Sequence, residues 1–305
     1  MKVAITGSSG LIGTALIDAL TSRGHEAIRI VRTPPTGTEI GWDPAARSID
    51  RARLVGVDAV VNLAGPGIGD HRWTAAYKRE LRDARIKATT LVADTLATTD
   101  GGPHALISAS GVNYYGENDT ATFDEWSPPG HGFLAGLCVD WEASTAAAKE
   151  AGVRVATIRT GIVLSSDGGA LAKMLPLFKL GLGGRFGSGR QWQSWISIHD
   201  HVAAIIHLVE GTMAGPVNCT APNPVTNREF TATLGRVLKR PAVLPVPKFG
   251  PAMLLGWELV DTLLYSGQRV VPRALVDGGF EFEHATLESA LRAVLGRNPT
   301  TPDEG

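Results

Sequence analysis

Three glycines in the segment Thr6-Gly7-Ser8-Ser9-Gly10-Leu11-Ile12-Gly13 constrain this chain more than anything else in it. They lie between a β-rich run, Lys2 to Thr6, and a helical run, Leu11 to Ser22. Gly7 permits the tight turn out of the strand. Gly10 lets the backbone approach a pyrophosphate at the helix N-terminus, where free N–H groups favour an anion. Gly13 lets helix and strand pack closely. With Ser8, Ser9, Leu11 and Ile12 they make a dinucleotide cradle, the alternative being an ordinary glycine-rich turn between strand and helix.

The tip of the next strand, Glu26 to Val31, selects the nucleotide. NAD sites usually place an acidic side chain there to accept from the ribose 2′-hydroxyl, whereas NADP sites offer an arginine to the 2′-phosphate. Here the chain reads Ile30-Val31-Arg32-Thr33, with no Asp or Glu. Arg32 can hold a phosphate through two parallel hydrogen bonds. NADP(H) is the expected cofactor ahead of NAD(H), with a solvated surface arginine as the other reading of Arg32.

Strand-like and helical runs alternate through the first half, which predicts a parallel sheet covered on both faces. After the two strands and helix above come strands at Asp58–Leu63, His104–Ser108 and Val153–Arg159, and helices at Trp73–Thr98 and Cys138–Ala151. Right-handed crossovers make this an α/β protein with a doubly wound parallel sheet of Rossmann type. Beyond about residue 165 Gly and Pro punctuate more often. A helix at His201–Glu210 and a strand at Pro216–Thr220 are expected to return to the sheet. The expected division is a nucleotide-binding domain of residues 1–165 plus about 200–221, a smaller, mainly helical substrate lobe of about 166–199 plus 222–297, and a frayed tail at 298–305.

The formal net charge of −1 gives no electrostatic reason to expect nucleic acid or an anionic membrane as a partner. Cys138 and Cys219 stand far apart and form neither a disulfide framework nor a metal-ligand cluster. No apolar run reaches membrane-spanning length, and the chain enters its first strand at once. A cytoplasmic protein acting on a small molecule is the expectation. Composition leaves the oligomeric state open.

TGSSGLIG (6–13), VVNLAG (60–65), the SASG-YYG segment (108–116) and RTGIVLS (159–165) together resemble an extended short-chain dehydrogenase/reductase. More narrowly, the chain is similar to a branch of nucleoside-diphosphate-sugar epimerase-like proteins with a C-terminal helical region of unknown role. That match includes NCTAPNPVTNREF (218–230) and SGQRVVPRALVDGGFEFEHATLESAL (266–291). The resemblance implies a Rossmann domain with NADP in an extended cleft. It places Asn62, Leu63, Ala64 and Gly65 on the loop passing the adenine and ribose. Ser108 and Ser110 fall at the end of the fifth strand of the family sheet, with Ser110 at the substrate-orienting hydroxyl. Arg159, Thr160 and Gly161 fall beside the nicotinamide amide.

Catalytic members of this superfamily use Tyr-x-x-x-Lys on the helix after that strand. The tyrosine exchanges a proton with the substrate, and the lysine lowers its pKa and holds the nicotinamide ribose. Aligned on Glu142, this chain has Leu134 at the tyrosine and Cys138 at the lysine. The replacement candidates are Tyr114 and Tyr115, which with Ser110 form a set of hydroxyls able to polarise a carbonyl. The alternative is that both rings pack the loop. Cys138 is read as a small buried hydrophobe ahead of a reactive thiol. Gln193 stands where nucleotide-sugar enzymes carry a pyrophosphate-binding arginine, with Arg185 and Arg190 nearby. An amide does not replace a guanidinium against two phosphates, so nucleotide-sugar epimerisation is disfavoured.

No metal site is expected: His199, His201 and His207 lack supporting ligands, and the pair His199 and His201 is read as capping or solvating a helix N-terminus. Arg72 and Trp73 follow the loop Gly65–Gly69 and can face the cleft, Arg72 being open between an anion anchor and a solvated helix-start arginine. Trp192 and Trp195 are open between lining the substrate pocket and core packing. The expected function is an NADP(H)-dependent oxidoreductase or epimerase-like enzyme on a small carbonyl or hydroxyl substrate, sugar-like or phosphorylated. The rival is a catalytically silent NADP(H)-binding regulator, since the branch resembles proteins linked to bacterial and plastid division.

Overall fold

β1 (Lys2–Thr6) runs through the middle of the sheet, and its Val3, Ala4 and Ile5 are completely buried. The structure is a computed structural model that describes residues 1–297, so the tail expected at 298–305 lies outside the described residues. α1 (Leu11–Ser22) leads to β2 (Glu26–Val31), which alternates to bury Ile28 and Ile30. A hairpin not anticipated from sequence follows, β3 (Ile40–Asp43) and β4 (Ser48–Ile49), because Ile40 and Trp42 pack into the core. Then come β5 (Ala59–Asn62), α2 (Ala75–Ala97), β6 (Ala105–Gly111) and β7 (Asn118–Phe123).

The helix expected at 138–151 begins earlier and is broken. α3 (Phe133–Ala143) stops where the Ser144 and Thr145 hydroxyls bond back to the carbonyls of Asp140 and Glu142, and α4 (Ala146–Glu150) resumes. β8 (Arg154–Thr160), β9 (Ile162–Leu164), α5 (Gly169–Lys179), β10 (Trp192–Gln193) and β11 (Trp195–Ser197) follow. α6 (Ile198–Glu210) leads to β12 (Gly215–Cys219), then β13 (Val225–Thr226) and α7 (Asn227–Leu238). The chain ends in α8 (Phe249–Leu255), α9 (Trp257–Val260), a π-helical turn at Asp261–Tyr265, β14 (Gln268–Val270), α10 (Arg273–Asp277) and α11 (Leu287–Val294).

The main sheet has eight strands in the order β12-β8-β6-β5-β1-β2-β3-β4. All neighbours are parallel except the β3–β4 hairpin. The chain winds outward in both directions from β1 and β5, and that switch point is where an open α/β sheet binds its ligand. One face is covered by α1 and α6, and α7, packed on α5 and α11, adds Phe230 to the core that holds Leu16, Leu20, Ile205 and Leu208. The other carries α2 and α4 over Ile28 and Ile30, with Leu91, Val92 and Ala148. Each fully buried leucine or isoleucine stabilises the fold by about 1.5–3 kcal/mol relative to exposure. No described helix is long and apolar enough to cross a membrane.

Candidate functional site

Each glycine of the cradle is required by a neighbour. Gly7 has φ +66°, and a Cβ there would lie 2.9 Å from the Leu63 carbonyl. A Cβ on Gly13 would sit 2.3 Å from the Gly7 oxygen, so no side chain fits where α1 meets the turn. Gly10 closes the turn through its N–H to the Gly7 carbonyl at 3.0 Å and forms the N-cap of α1. No side chain caps that helix, whereas Thr74, Ser197, Thr226 and Thr286 cap α2, α6, α7 and α11. The first N–H groups of α1 are left for an anion, and the cradle fits a pyrophosphate. Ser9 and Gly10 are exposed, Leu11 and Ile12 half-buried, and Ser8 is buried beneath them.

Arg32 follows β2 directly, is exposed, and makes no hydrogen bond or ion pair among the described residues. Its guanidinium stands on the β2 side of the switch point, where an adenine ribose would rest. Across the switch point, Thr6 organises the loop after β5. Its hydroxyl donates to Asn62 Oδ1 at 2.7 Å and accepts from the N–H groups of Leu63 and Ala64. Leu63 and Ala64 are half-buried and Gly65 is exposed beyond the C-terminal end of β5.

Several sequence candidates serve the scaffold instead. Asn62 is fully buried with its amide on Thr89, and Ser108 is 1% exposed beside it, so both side chains are engaged within the scaffold. Arg159 is also buried. It forms a bidentate ion pair with Glu142 at 2.8 and 2.9 Å, and its Nη1 donates to the Tyr115 hydroxyl. Burial alone would lower the Arg159 pKa, but the bonds and charge of Glu142 hold it above the ordinary value. Tyr115 is 2% exposed, donates to Asn218 at 2.7 Å, and is pushed up to about 12 by burial. Its hydroxyl is engaged on both sides, donating to Asn218 and accepting from Arg159, while the ring packs in the core. Ser110 donates to Glu142 at 2.7 Å and is 5% exposed, so its hydroxyl is engaged too. Tyr114 lies with its ring 3.4 Å from the Arg159 guanidinium, and its hydroxyl has no partner among the described residues. Thr160 meets His201 at 3.0 Å, and Gly161 is required because a Cβ would lie 2.4 Å from the Ser194 carbonyl.

α3 carries Leu134 and Cys138, both 4% exposed. Burial, with the charge of Glu142, pushes the Cys138 thiol up to about 12, so it supplies no thiolate. Leu134 borders a pocket of about 170 Å³ that sequence reading did not find. Asn113, Glu117, His131, Glu258 and Gln268 are among its polar groups, and Trp73 and Phe133 help to close it. His131 stands three residues before Leu134 in Gly130-His131-Gly132, the one local signal that could have revealed it. A second groove, of about 600 Å³, shares Ser9, Gly10 and Leu11 with the cradle but then follows α1 and α6, touching no residue of the β5, β6 or β8 loops. It therefore continues the phosphate end and not the reacting end.

His201, expected as a capping or solvated side chain, is instead fully buried. Trp195 is core, while Trp192 donates to the Asp119 carbonyl and is half-buried. Among the described residues no group of three or more potential metal ligands gathers.

The comparisons with known proteins agree with this arrangement. Residues 3–219 match the model of the NAD dependent epimerase/dehydratase family, and residues 246–294 match a domain of unknown function, DUF1731. An epimerase family protein of Mycobacterium bovis, Mb2239, is 47% identical over 291 residues, covering 95% of this chain and 96% of that one. The crystal structure of human epimerase family protein SDR39U1 with NADPH superposes with a TM-score of 0.89 at 35% identity, covering 98% of this chain and 100% of that one. MoeE5, solved with UDP-glucuronic acid and NAD, shares the fold at a TM-score of 0.74 and 19% identity, with 97% and 98% covered. With its cradle, its switch point and two thirds of its length matched, the chain belongs to the NAD dependent epimerase/dehydratase family.

Proposed function

We propose that this protein is an NADP(H)-dependent oxidoreductase or epimerase-like enzyme for a small carbonyl or hydroxyl substrate. The observation that carries the cofactor assignment is the exposed, unpaired Arg32 at the tip of β2, beside an uncapped α1. The human relative solved with NADPH supports it. Gly7, Gly10 and Gly13 seat the pyrophosphate, and Arg32 takes the 2′-phosphate. When bound, the nicotinamide supplies hydride exchange. The substrate lies in the pocket beside Leu134, where the Asn113 amide orients it and the His131 imidazole exchanges its proton. Trp73 and Phe133, edge to face at 5.4 Å, exclude water from one wall. Both cysteines are buried and unpaired, which fits the reducing cytoplasm we propose as its location.

A second reading, NADP(H) binding without turnover, is favoured by the engagement of Ser110 and Tyr115 in the Glu142–Arg159 network. Titration with NADPH and NADH, alongside Arg32→Ala, tests the assignment. Tight NADPH binding, weak NADH binding and loss of that preference in the variant are expected. Equal affinities for the two cofactors overturn the role of Arg32. Tight NADPH binding with no oxidation across a panel of aldehydes, ketones and sugars would favour the second reading.

A further inference from the structure

Arg85, on α2, is a buried cation with no carboxylate partner among the described residues. It is 5% exposed. One guanidinium nitrogen donates to the Leu81 carbonyl at 3.0 Å and another to the Pro66 carbonyl at 2.6 Å. Nε is buried with no partner. The guanidinium lies against Trp141, 5.0 Å from its ring centroid, and burial lowers its pKa. A buried cation held only by carbonyls and an aromatic ring is a net cost to an unliganded protein.

Its position explains why it is retained. Arg85 packs directly beneath Gly65, where a Cβ would lie 3.4 Å from Nε. Gly65 belongs to the loop at the end of β5, on the side of the switch point away from Arg32. A dinucleotide seated with its pyrophosphate on Gly10 and its adenine half toward Arg32 must carry its other half over this loop. Cys138 and Trp141 lie one turn apart on α3, and the guanidinium covers the face they share. Cys138 occupies the position where the resemblance expects a lysine, so the cation at this place comes from α2 instead of α3.

We propose that Arg85 is the cation of the nicotinamide half-site, its unused Nε–H taking a ribose hydroxyl of bound NADP(H). Gly65 is exposed and puts no side chain between the loop surface and the guanidinium, since a Cβ there would lie 3.3 Å from Arg85 Cζ. The inference rests on the NADP(H) reading above.

The test uses Arg85→Gln and Arg85→Lys in the whole protein, titrated with NADPH and with adenosine 2′,5′-bisphosphate, which carries only the adenine half. Arg85→Gln should bind NADPH about tenfold to a hundredfold more weakly, as the loss of one charge-assisted hydrogen bond implies. It should bind the bisphosphate as the parent does, and its unliganded form should melt no lower than the parent. Arg85→Lys, which keeps the charge without the planar fork, should recover part of the NADPH affinity. Unchanged NADPH affinity in Arg85→Gln overturns the proposal. So do equal losses for both ligands with a lower melting temperature, or a variant that fails to fold, because those mark a structural arginine. A parent protein that binds the bisphosphate but gains nothing from the nicotinamide half refutes Arg85 alone. A parent that binds neither ligand removes the cofactor reading as well.

Discussion

His201 sits on α6 with its ring fully buried, Nε2 3.0 Å from the Thr160 hydroxyl and Nδ1 without a partner. Burial holds its pKa at about 4, below the ordinary 6.5, so the folded protein keeps the ring neutral. The unfolded chain takes up the proton as pH falls through about 6.5, while the folded protein resists until about 4. The stabilisation is therefore complete above the upper value and is lost between the two, at up to about 1.4 kcal/mol per pH unit. His201→Gln keeps a polar partner for Thr160 and cannot titrate. Denaturant unfolding at pH 7, 6, 5 and 4 should show a shallower loss in that variant. Parallel curves for variant and parent would refute the assignment. The burial was not legible in His199-Asp200-His201, because a histidine beside a helix start ordinarily faces water. It is the parallel packing of β11 on β9 that places the start of α6 inside the molecule.

Glu142 joins α3 to β8 by its pair with Arg159, whose side chains are 14% and 4% exposed. A buried pair contributes little over an apolar substitute, but losing one partner strands the other charge. Arg159→Met should cost about 3–5 kcal/mol by denaturant unfolding, and the double variant with Glu142→Gln should recover part of that. A single-variant loss below about 1 kcal/mol would mean that water reaches Glu142 and that the network does not lock Ser110 and Tyr115. This network marks the limit of what sequence made visible. The β1–α1 unit was legible because its glycines, strand and helix are contiguous and each imposes its own geometry. The roles of Tyr115 and Arg159 were not, because Tyr115 meets an asparagine 103 residues away and Arg159 meets a carboxylate on another element. β7 was missed for the same reason: it pairs with β14 near the far end of the chain.

At the scale of the molecule, two buried carboxyl groups fasten the last third of the chain to the sheet. Glu125, 5% exposed, accepts the N–H of Asn218 on β12 at 2.9 Å and that of Ala274 on α10 at 3.1 Å. Asp200, 1% exposed on α6, accepts the N–H groups of Glu283 and His284 at 2.8 and 3.1 Å and the Ser197 hydroxyl at 2.8 Å. Neither carboxyl has a basic side chain within hydrogen-bonding reach among the described residues; backbone N–H groups hold both, against a burial that raises the Glu125 pKa. The turn at residues 283–284 and α11 behind it thus depend on α6, which also packs on α1 behind the cradle. Asp200→Ala removes the acceptor for both backbone N–H groups at once. Its effect should concentrate in the C-terminal segment: limited proteolysis should open new cuts between Asp277 and Thr286, while adenosine 2′,5′-bisphosphate still binds, because Gly7, Gly10 and Arg32 stand on β1, α1 and β2. A cleavage pattern identical to the parent's would mean that apolar packing of Leu287, Leu291 and Val294 alone holds this segment. Loss of the bisphosphate with the cuts would mean that the segment and the cradle unfold as one cooperative unit.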